Sequence, residues 1–440
     1  MRLSLPEIQI LPNQGFTQHD IFHRKNYGSQ LTNFILNANE NLVFALDSNW
    51  GAGKSTFIKM WHSYNNTHSP RLKTIYFDAF ENDYQHDPFL ALASEVYDIF
   101  EEEDEVNKQK FKDKASNVCK AFGRGLIKTG VKVATAGAID GSTFDVAERE
   151  LSTLVSDQMD SIIADKFESS KVDKKALKEF RTYLKKIVEE QTDNNNLVFI
   201  IDELDRCRPD FALEILEKIK HLFSVPGLTF ILVMNREQLQ ESVKSRYGNG
   251  INASLYLQKF INVWLSLPKS ESTNNHDSVT FLNHAIEKLG SNLLHHNQTT
   301  IRMFSTLICR NSISFREIER MLTYIAVMEN TQTSGSTWEA NEQLVIACVC
   351  YLKVSDSMLL KRILNKSVSP TDVANSIKVS PTDHDRASQA LANVIAGCLC
   401  SEDELEAMLA NKEVQPDSWG NFNQDMFSNI CTTLDSFAVS

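Results

Sequence analysis

A chain of 440 residues with 42% hydrophobic and 23% charged residues has the composition of a globular protein large enough for two or three domains. Only 16 glycines and 10 prolines exclude collagen-like and wholly disordered readings. With 45 basic against 57 acidic residues the formal charge is −12, which excludes a general nucleic-acid or membrane-surface binder acting through net charge but leaves a local basic patch open.

Residues 1–40 read as a lead-in and a helix. Asp20 can cap that helix, and Leu31, Phe34 and Ile35 recur at helical spacing. The opening MRLSLPEIQILPNQG lacks the apolar core of a secretory leader. Leu42-Val43-Phe44-Ala45-Leu46 reads as a buried strand that runs into Asp47-Ser48-Asn49-Trp50-Gly51-Ala52-Gly53-Lys54-Ser55-Thr56, with an apolar helix opening at Phe57. Strand, glycine-bearing loop and helix form the context of a phosphate-binding P-loop, G-x-x-x-x-G-K-[ST]. Gly53, Lys54 and Ser55 match that pattern, while Ser48 stands at its first glycine. Backbone N–H groups from Gly51 to Ser55 can still wrap a phosphate, helped by the helix dipole. Lys54 is placed to reach the β- and γ-phosphates, and Ser55 to ligate Mg²⁺.

A second strand is expected at Thr74–Phe80, followed by a helix from Pro88 to Phe100. The segment up to Asn196, rich in Lys, Glu, Ala and Leu, reads as mostly helical. Its most membrane-like stretch, residues 119–139, carries Lys120, Arg124, Lys128 and Lys132. Each central charge costs ~2.5–3.5 kcal/mol in a bilayer, so no span is expected. Packing on protein or binding a partner is preferred to lying on a membrane surface as a basic helix.

The third strand, Leu197-Val198-Phe199-Ile200-Ile201, ends at Asp202-Glu203-Leu204-Asp205-Arg206-Cys207-Arg208-Pro209. An acid at the tip of a buried strand can hold Mg²⁺, and the next acid can deprotonate an attacking water. Asp202 fits the first role and Glu203 the second. The fourth strand, Leu228–Met234, ends at Asn235, where a polar side chain can sense the γ-phosphate. A fifth is expected around Ile261–Leu267. Such near-continuous apolar runs suit strands covered by helices on both faces.

Beyond Pro268, SESTNNH reads as a polar hinge and the remainder as helices, with loops at 331–337 and 367–371. Arg316 and Arg320, one helical turn apart, can face a nucleotide from a helical lid or form surface pairs with Glu317 and Glu319. None of the eight cysteines forms a C-x-x-C pair; Cys348, Cys350, Cys398 and Cys400 lie in apolar runs and read as core. Scattered free thiols suit a reducing, cytoplasmic setting.

The Trp50–Ser55 loop, Asp78-Ala79-Phe80, Asp202-Glu203-Leu204-Asp205-Arg206-Cys207 and Tyr256-Leu257-Gln258-Lys259-Phe260-Ile261 together resemble the KAP family of P-loop NTPases. Asp20-Ile21-Phe22-His23-Arg24 looks like that family's opening segment, and the resemblance covers residues 15–325. Ser48 replaces the family's usual first glycine, Asn235 stands where an acid is frequent, and the transmembrane helices many relatives carry between the two motifs are not expected here.

The expected fold is an α/β P-loop core of the additional-strand class, parallel strands ordered 5-1-4-3-2. The core takes residues 1–81 and 197–269, a helical insertion 82–196, a helical lid 270–330 and a helical C-terminal domain 331–440. The resemblance implies ATP and Mg²⁺ as ligands. Trp50, Gly51, Ala52, Gly53, Lys54, Ser55 and Thr56 would bind nucleotide, and Ser55 and Asp202 the metal. Glu203, Lys54, Arg206, Arg316 and Asn235 would act in hydrolysis. Arg206, beside Arg208, is favoured as a finger offered to a neighbouring subunit, and Arg316 as an in-chain sensor. The implied role is a nucleotide-dependent switch or assembly ATPase, as bacterial relatives play in phage exclusion, forming a homo-oligomer on ATP binding. A protein partner would bind through the insertion or the C-terminal domain; nucleic acid as a partner stays open. A guanine-reading [NT]-K-x-D is absent, since Asn365-Lys366-Ser367 and Asn411-Lys412-Glu413 lack its Asp. A nucleotide-locked scaffold with little turnover and a small-molecule kinase remain as alternatives.

Overall fold

The computed structural model describes residues 3–6, 8–38, 40–69, 72–85, 87–100, 104–136, 172–190, 196–272, 275–290, 298–331, 338–417 and 420–436. Its centre is a five-stranded sheet ordered β2-β3-β4-β1-β5, with every neighbouring pair parallel. The strands are β1 (Val43–Asp47), β2 (Lys73–Asp78), β3 (Leu197–Asp202), β4 (Leu228–Met234) and β5 (Val263–Ser266). Read from the other edge, this is the 5-1-4-3-2 order expected from the sequence. β3 and β4 are buried along their whole length, which is why they read as unbroken apolar runs.

Alternate residues serve opposite faces. Phe44, Leu46, Val198, Ile200, Ile231 and Val233 pack under α1 (Lys25–Asn37) and α2 (Lys54–His68), around the buried Phe57 and Trp61. Ala45, Phe199, Ile201, Phe230 and Leu232 face the other core. That core is covered by α3 (Pro88–Tyr97), α4 (Glu105–Ala136), a helix α5 over residues 172–190, α6 (Pro209–Lys218) and α7 (Arg236–Tyr247). Phe180 of α5 sits within ring contact of Phe89, Phe111 and Phe223, at 5.2, 5.8 and 5.7 Å. The described helices of the insertion therefore share the sheet's own core. The apolar stretch 119–139 is helical as far as Ala136, and its last three residues lie outside the described ones. Among the described residues no helix is long and apolar enough to cross a membrane.

The helix α8 (Ala253–Leu257) precedes β5. After β5 the polar hinge forms a two-residue hairpin, Glu271–Ser272 against Asn275–His276. Then come α9 (Asp277–Leu289), α10 (Gln298–Asn311) and α11 (Phe315–Thr331). The sequence reading divides the chain at residue 330, and one buried cluster spans that position. One core runs from Phe281 through Met321 and Leu344 to Leu434. Its axis is α12 (Ala340–Ser355), where every residue from Leu344 to Leu352 is buried. A helix apolar on all sides must be surrounded, and α12 is surrounded by helices from both sides of the predicted boundary. Cys348, Cys350, Cys398 and Cys431 lie in this core, and burial pushes their thiols up.

Candidate functional site

The β1–α2 loop needs two glycines. Gly51 and Gly53 hold φ of +75° and +81°, a region costly for residues with a Cβ. Gly53 stands immediately before α2, so the free N–H groups of the first helical turn point out of the loop. Lys54 follows it, 8% exposed. Its ammonium donates to the backbone oxygens of Ser48 and Asn49, and burial lowers its pKa against the pull of Asp205 and Asp202.

At the tip of β3, Asp202 is 1% exposed. Its Oδ1 accepts from the Ser55 hydroxyl at 3.2 Å and from the Glu203 N–H at 2.8 Å, and its Oδ2 accepts from the Tyr76 hydroxyl at 2.8 Å. Desolvation raises its pKa despite these donors. An acid raised on folding costs stability above its ordinary pKa, and the cost disappears once pH falls below that value. Asp202→Asn is therefore expected to stabilise the fold at pH 7 and to leave it unchanged near pH 3. Calorimetry at the two pH values checks this.

Glu203 adopts φ +58°, left-handed for a residue with a side chain. Strain of this kind persists where the surroundings over-determine it, as at reactive sites. It turns the carboxylate back over the strand tip, where Oε2 accepts from the Arg206 guanidinium at 2.7 Å. Burial raises the Glu203 pKa and Arg206 opposes the rise. Asp205 accepts from the Trp50 indole at 2.5 Å, tying the P-loop apex to the turn after β3.

The third wall is the lid. Ser314 and Glu317 form a reciprocal cap at the start of α11: the Glu317 carboxylate accepts from the Ser314 N–H at 2.8 Å, and the Ser314 hydroxyl accepts from the Glu317 N–H at 3.3 Å. This sets Arg316 in the first turn, against Gly51; a Cβ on Gly51 would lie 3.0 Å from the Arg316 Cβ. The Phe315 N–H donates to the Gly51 oxygen at 3.2 Å. The result is a cavity of 220 Å³ on which Lys54, Ser55, Asp202, Glu203, Arg206 and Arg316 converge, with Trp50, Gly51, Ala52, Gly53 and Thr56 also in its wall.

Four further residues singled out in the sequence take these places. Asn235 does not line this cavity: its Oδ1 accepts from the Gln238 N–H at 3.2 Å and caps α7, so its side chain serves the helix. Arg320 does not line it either, although Arg316 one turn earlier does. Arg206, favoured as a group offered to a neighbour, holds Glu203 of its own chain in an i, i+3 pair inside the cavity. Arg208 is bound to the Asp83 backbone oxygen and faces its carboxylate at 3.8 Å. The sequence reading missed Tyr76 and the Trp50–Asp205 bond, which join segments far apart in the chain. The Ser314-x-x-Glu317 capping signature, in contrast, was there to be read.

A second cavity opens on the other side of Trp50–Ala52, lined by Arg24, Lys269, His276, Asp277 and Phe315 among others. Arg24 is 4% exposed; it donates to the Ala52 oxygen and to the Asp277 carboxylate, both at 3.3 Å.

A sequence model described as the KAP family P-loop domain matches residues 24–332. Among solved structures, the chain is similar to the Aeropyrum pernix ORC2 protein in its ADPNP-ADP complexes, at 11% identity and a TM-score of 0.36, over 97% of this chain and 98% of that one. The ADP form of the same protein gives 11% identity and a TM-score of 0.36, over 99% and 98%. No curated protein matches the chain in sequence.

Proposed function

Because the chain belongs to the KAP family of P-loop NTPases, we propose that it binds ATP with Mg²⁺ in the 220 Å³ cavity and hydrolyses the β–γ bond. The observation that supports this is the convergence of a phosphate-binding loop, two acids in different settings and two arginines on one cavity. The loop N–H groups and Lys54 hold the phosphates. Ser55 and Asp202 offer hard oxygen ligands 3.2 Å apart, the donor set Mg²⁺ takes beside phosphates. A cation there also offsets the desolvation that raises Asp202. The bound ion would supply charge neutralisation on the phosphate oxygens. Glu203, its pKa raised by burial, accepts the proton of the attacking water. Arg206 and Arg316 supply positive charge to offset the negative charge that develops on the leaving phosphate.

The Glu203–Arg206 bond favours slow turnover, since the base accepts from a guanidinium that must let go before it takes a proton. A nucleotide-locked switch is the form of the activity this supports. Assembly on ATP, a protein partner and a part in phage defence extend the proposal on family resemblance alone.

Phosphate release measured with and without small-molecule acceptors tests the reading; dependence on an acceptor would mean a kinase. Lys54→Ala is expected to weaken ATP binding by about tenfold or more, the loss of one charge-assisted contact. Ser55→Ala is expected to weaken the Mg²⁺ dependence of that binding. Unchanged affinity and turnover in Lys54→Ala would refute the site.

A further inference from the structure

Arg24 is the least exposed arginine or lysine among the described residues, and its charge is poorly served. Both of its hydrogen bonds, to the Ala52 oxygen and to Asp277, are long at 3.3 Å. Its Nε is buried without a hydrogen-bond partner among the described residues. Desolvation lowers its pKa against the attraction of Asp277 and Asp20. Its guanidinium lies over the Phe22 ring at 4.5 Å. Phe22 stacks on Phe315 at 4.9 Å, and Phe315 on Phe281 at 4.7 Å. Phe281 belongs to α9 and Phe315 opens α11, the two lid helices nearest the P-loop.

These contacts meet where three parts of the chain join. Arg24 precedes α1, Ala52 lies in the P-loop, and Asp277 is the first residue of α9. The Phe315–Gly51 backbone bond crosses the same joint one residue along the loop. A buried, under-bonded charge pair adds little to fold stability, but it makes the joint sensitive to either partner. Removing Asp277 strands a charge, whereas opening the joint returns both groups to water.

We propose that the Arg24–Asp277 pair is a latch that holds the lid against the P-loop and sets how fast nucleotide leaves. This rests on the P-loop being the nucleotide site. Arg24 and Asp277 are positioning residues in this scheme: they act through the Gly51–Ala52 backbone and the first turn of α11, which carries Arg316. Closed, the latch keeps Arg316 over the phosphates; open, it lets α9 and α11 swing away together, because both share the C-terminal core.

The test uses the full chain and two readouts. The first is dissociation of the fluorescent analogue mant-ADP with Mg²⁺. Asp277→Ala is expected to speed it about 5- to 150-fold, the usual span of a coupling between sites. The second is hydrogen exchange at the Phe315 amide, compared with amides of β3 and β4, without nucleotide. Exchange at Phe315 should accelerate while the strand amides stay as in the wild type. Arg24→Ala/Asp277→Ala should release mant-ADP more slowly than Asp277→Ala alone, because no charge is then stranded. A residue that only fills space predicts the reverse order. Unchanged Phe315 exchange in Asp277→Ala, or acceleration of the strand amides to the same degree, would overturn the latch. If the wild type does not retain mant-ADP, the nucleotide reading fails, and Phe315 exchange alone decides whether the latch exists.

Discussion

Arg316→Ala is expected to slow phosphate release by about 10³–10⁵-fold, the loss typical when a positive group at the transferring phosphate is removed. Binding should change far less, because Lys54 and the loop N–H groups remain. The reasoning rests on position. The Ser314–Glu317 cap fixes where α11 begins, and Arg316 in its first turn lines the wall opposite the β3 acids. Arg206 also lines the cavity, on the β3 side, but its guanidinium is engaged by Glu203. Because both arginines face the cavity of their own chain, mixing Arg316→Ala with Lys54→Ala protein should not restore activity. The same holds for Arg206→Ala mixed with Lys54→Ala. Rescue in a preparation shown to exchange subunits would place the acting arginine across an interface. Phosphate release by Arg316→Ala within tenfold of the wild type would remove it from the chemistry.

Glu203→Gln should trap ATP. The amide keeps the shape and cannot take a proton, and loss of a general base costs about 10²–10⁴-fold in rate. The left-handed backbone at this position is no more strained for Gln than for Glu, so folding should be preserved. A pH profile provides a second check. Burial raises the Glu203 pKa, so the acid limb of the wild-type rate should lie above the ordinary glutamate range. Arg206 opposes that rise, so Arg206→Ala should move the limb to still higher pH. Normal turnover by Glu203→Gln would pass the role to Asp205. That carboxylate is committed to the Trp50 indole, so it would first have to give up the bond that ties the P-loop apex to the β3 turn.

The sheet was legible in the sequence because it is buried on both faces. Leu197–Ile201 and Leu228–Met234 admit no polar side chain except Thr229, and the strands fall where those runs are. The phosphate loop and the β3 acids were legible because each is a contiguous string whose chemistry depends on local backbone geometry. Contacts between distant segments were not legible in this way. Arg24 and Asp277 are 253 positions apart, and nothing in either neighbourhood marks them as a pair. Asn235 shows the opposite limit. A polar residue at a strand tip fits a phosphate sensor or a helix cap equally well, and only the direction of its side chain, towards the Gln238 N–H, separates the two. The boundary drawn at residue 330 follows a break in the chain's polarity, which does not report which helices share a core. The buried run of α12, Leu344–Leu352, was visible as an apolar stretch, but what surrounds it was not.

The order of the strands also sets a timetable for synthesis. Val43 of β1 pairs with Phe230 of β4, and Phe44 pairs with Val263 of β5. Both partners of the P-loop strand are therefore made about 190 or more residues later. At about 5–20 residues per second, β1 waits ~10–40 s on the ribosome with both edges open. β2 also waits for β3, made more than a hundred residues after it, so two of the sheet's five strands emerge with nothing to pair with. Parallel pairing over such distances is slow and leaves strand edges free to meet other chains. A nascent-chain chaperone would therefore meet the P-loop strand long before its neighbours exist, and the yield of folded protein should depend on how well that interval is covered.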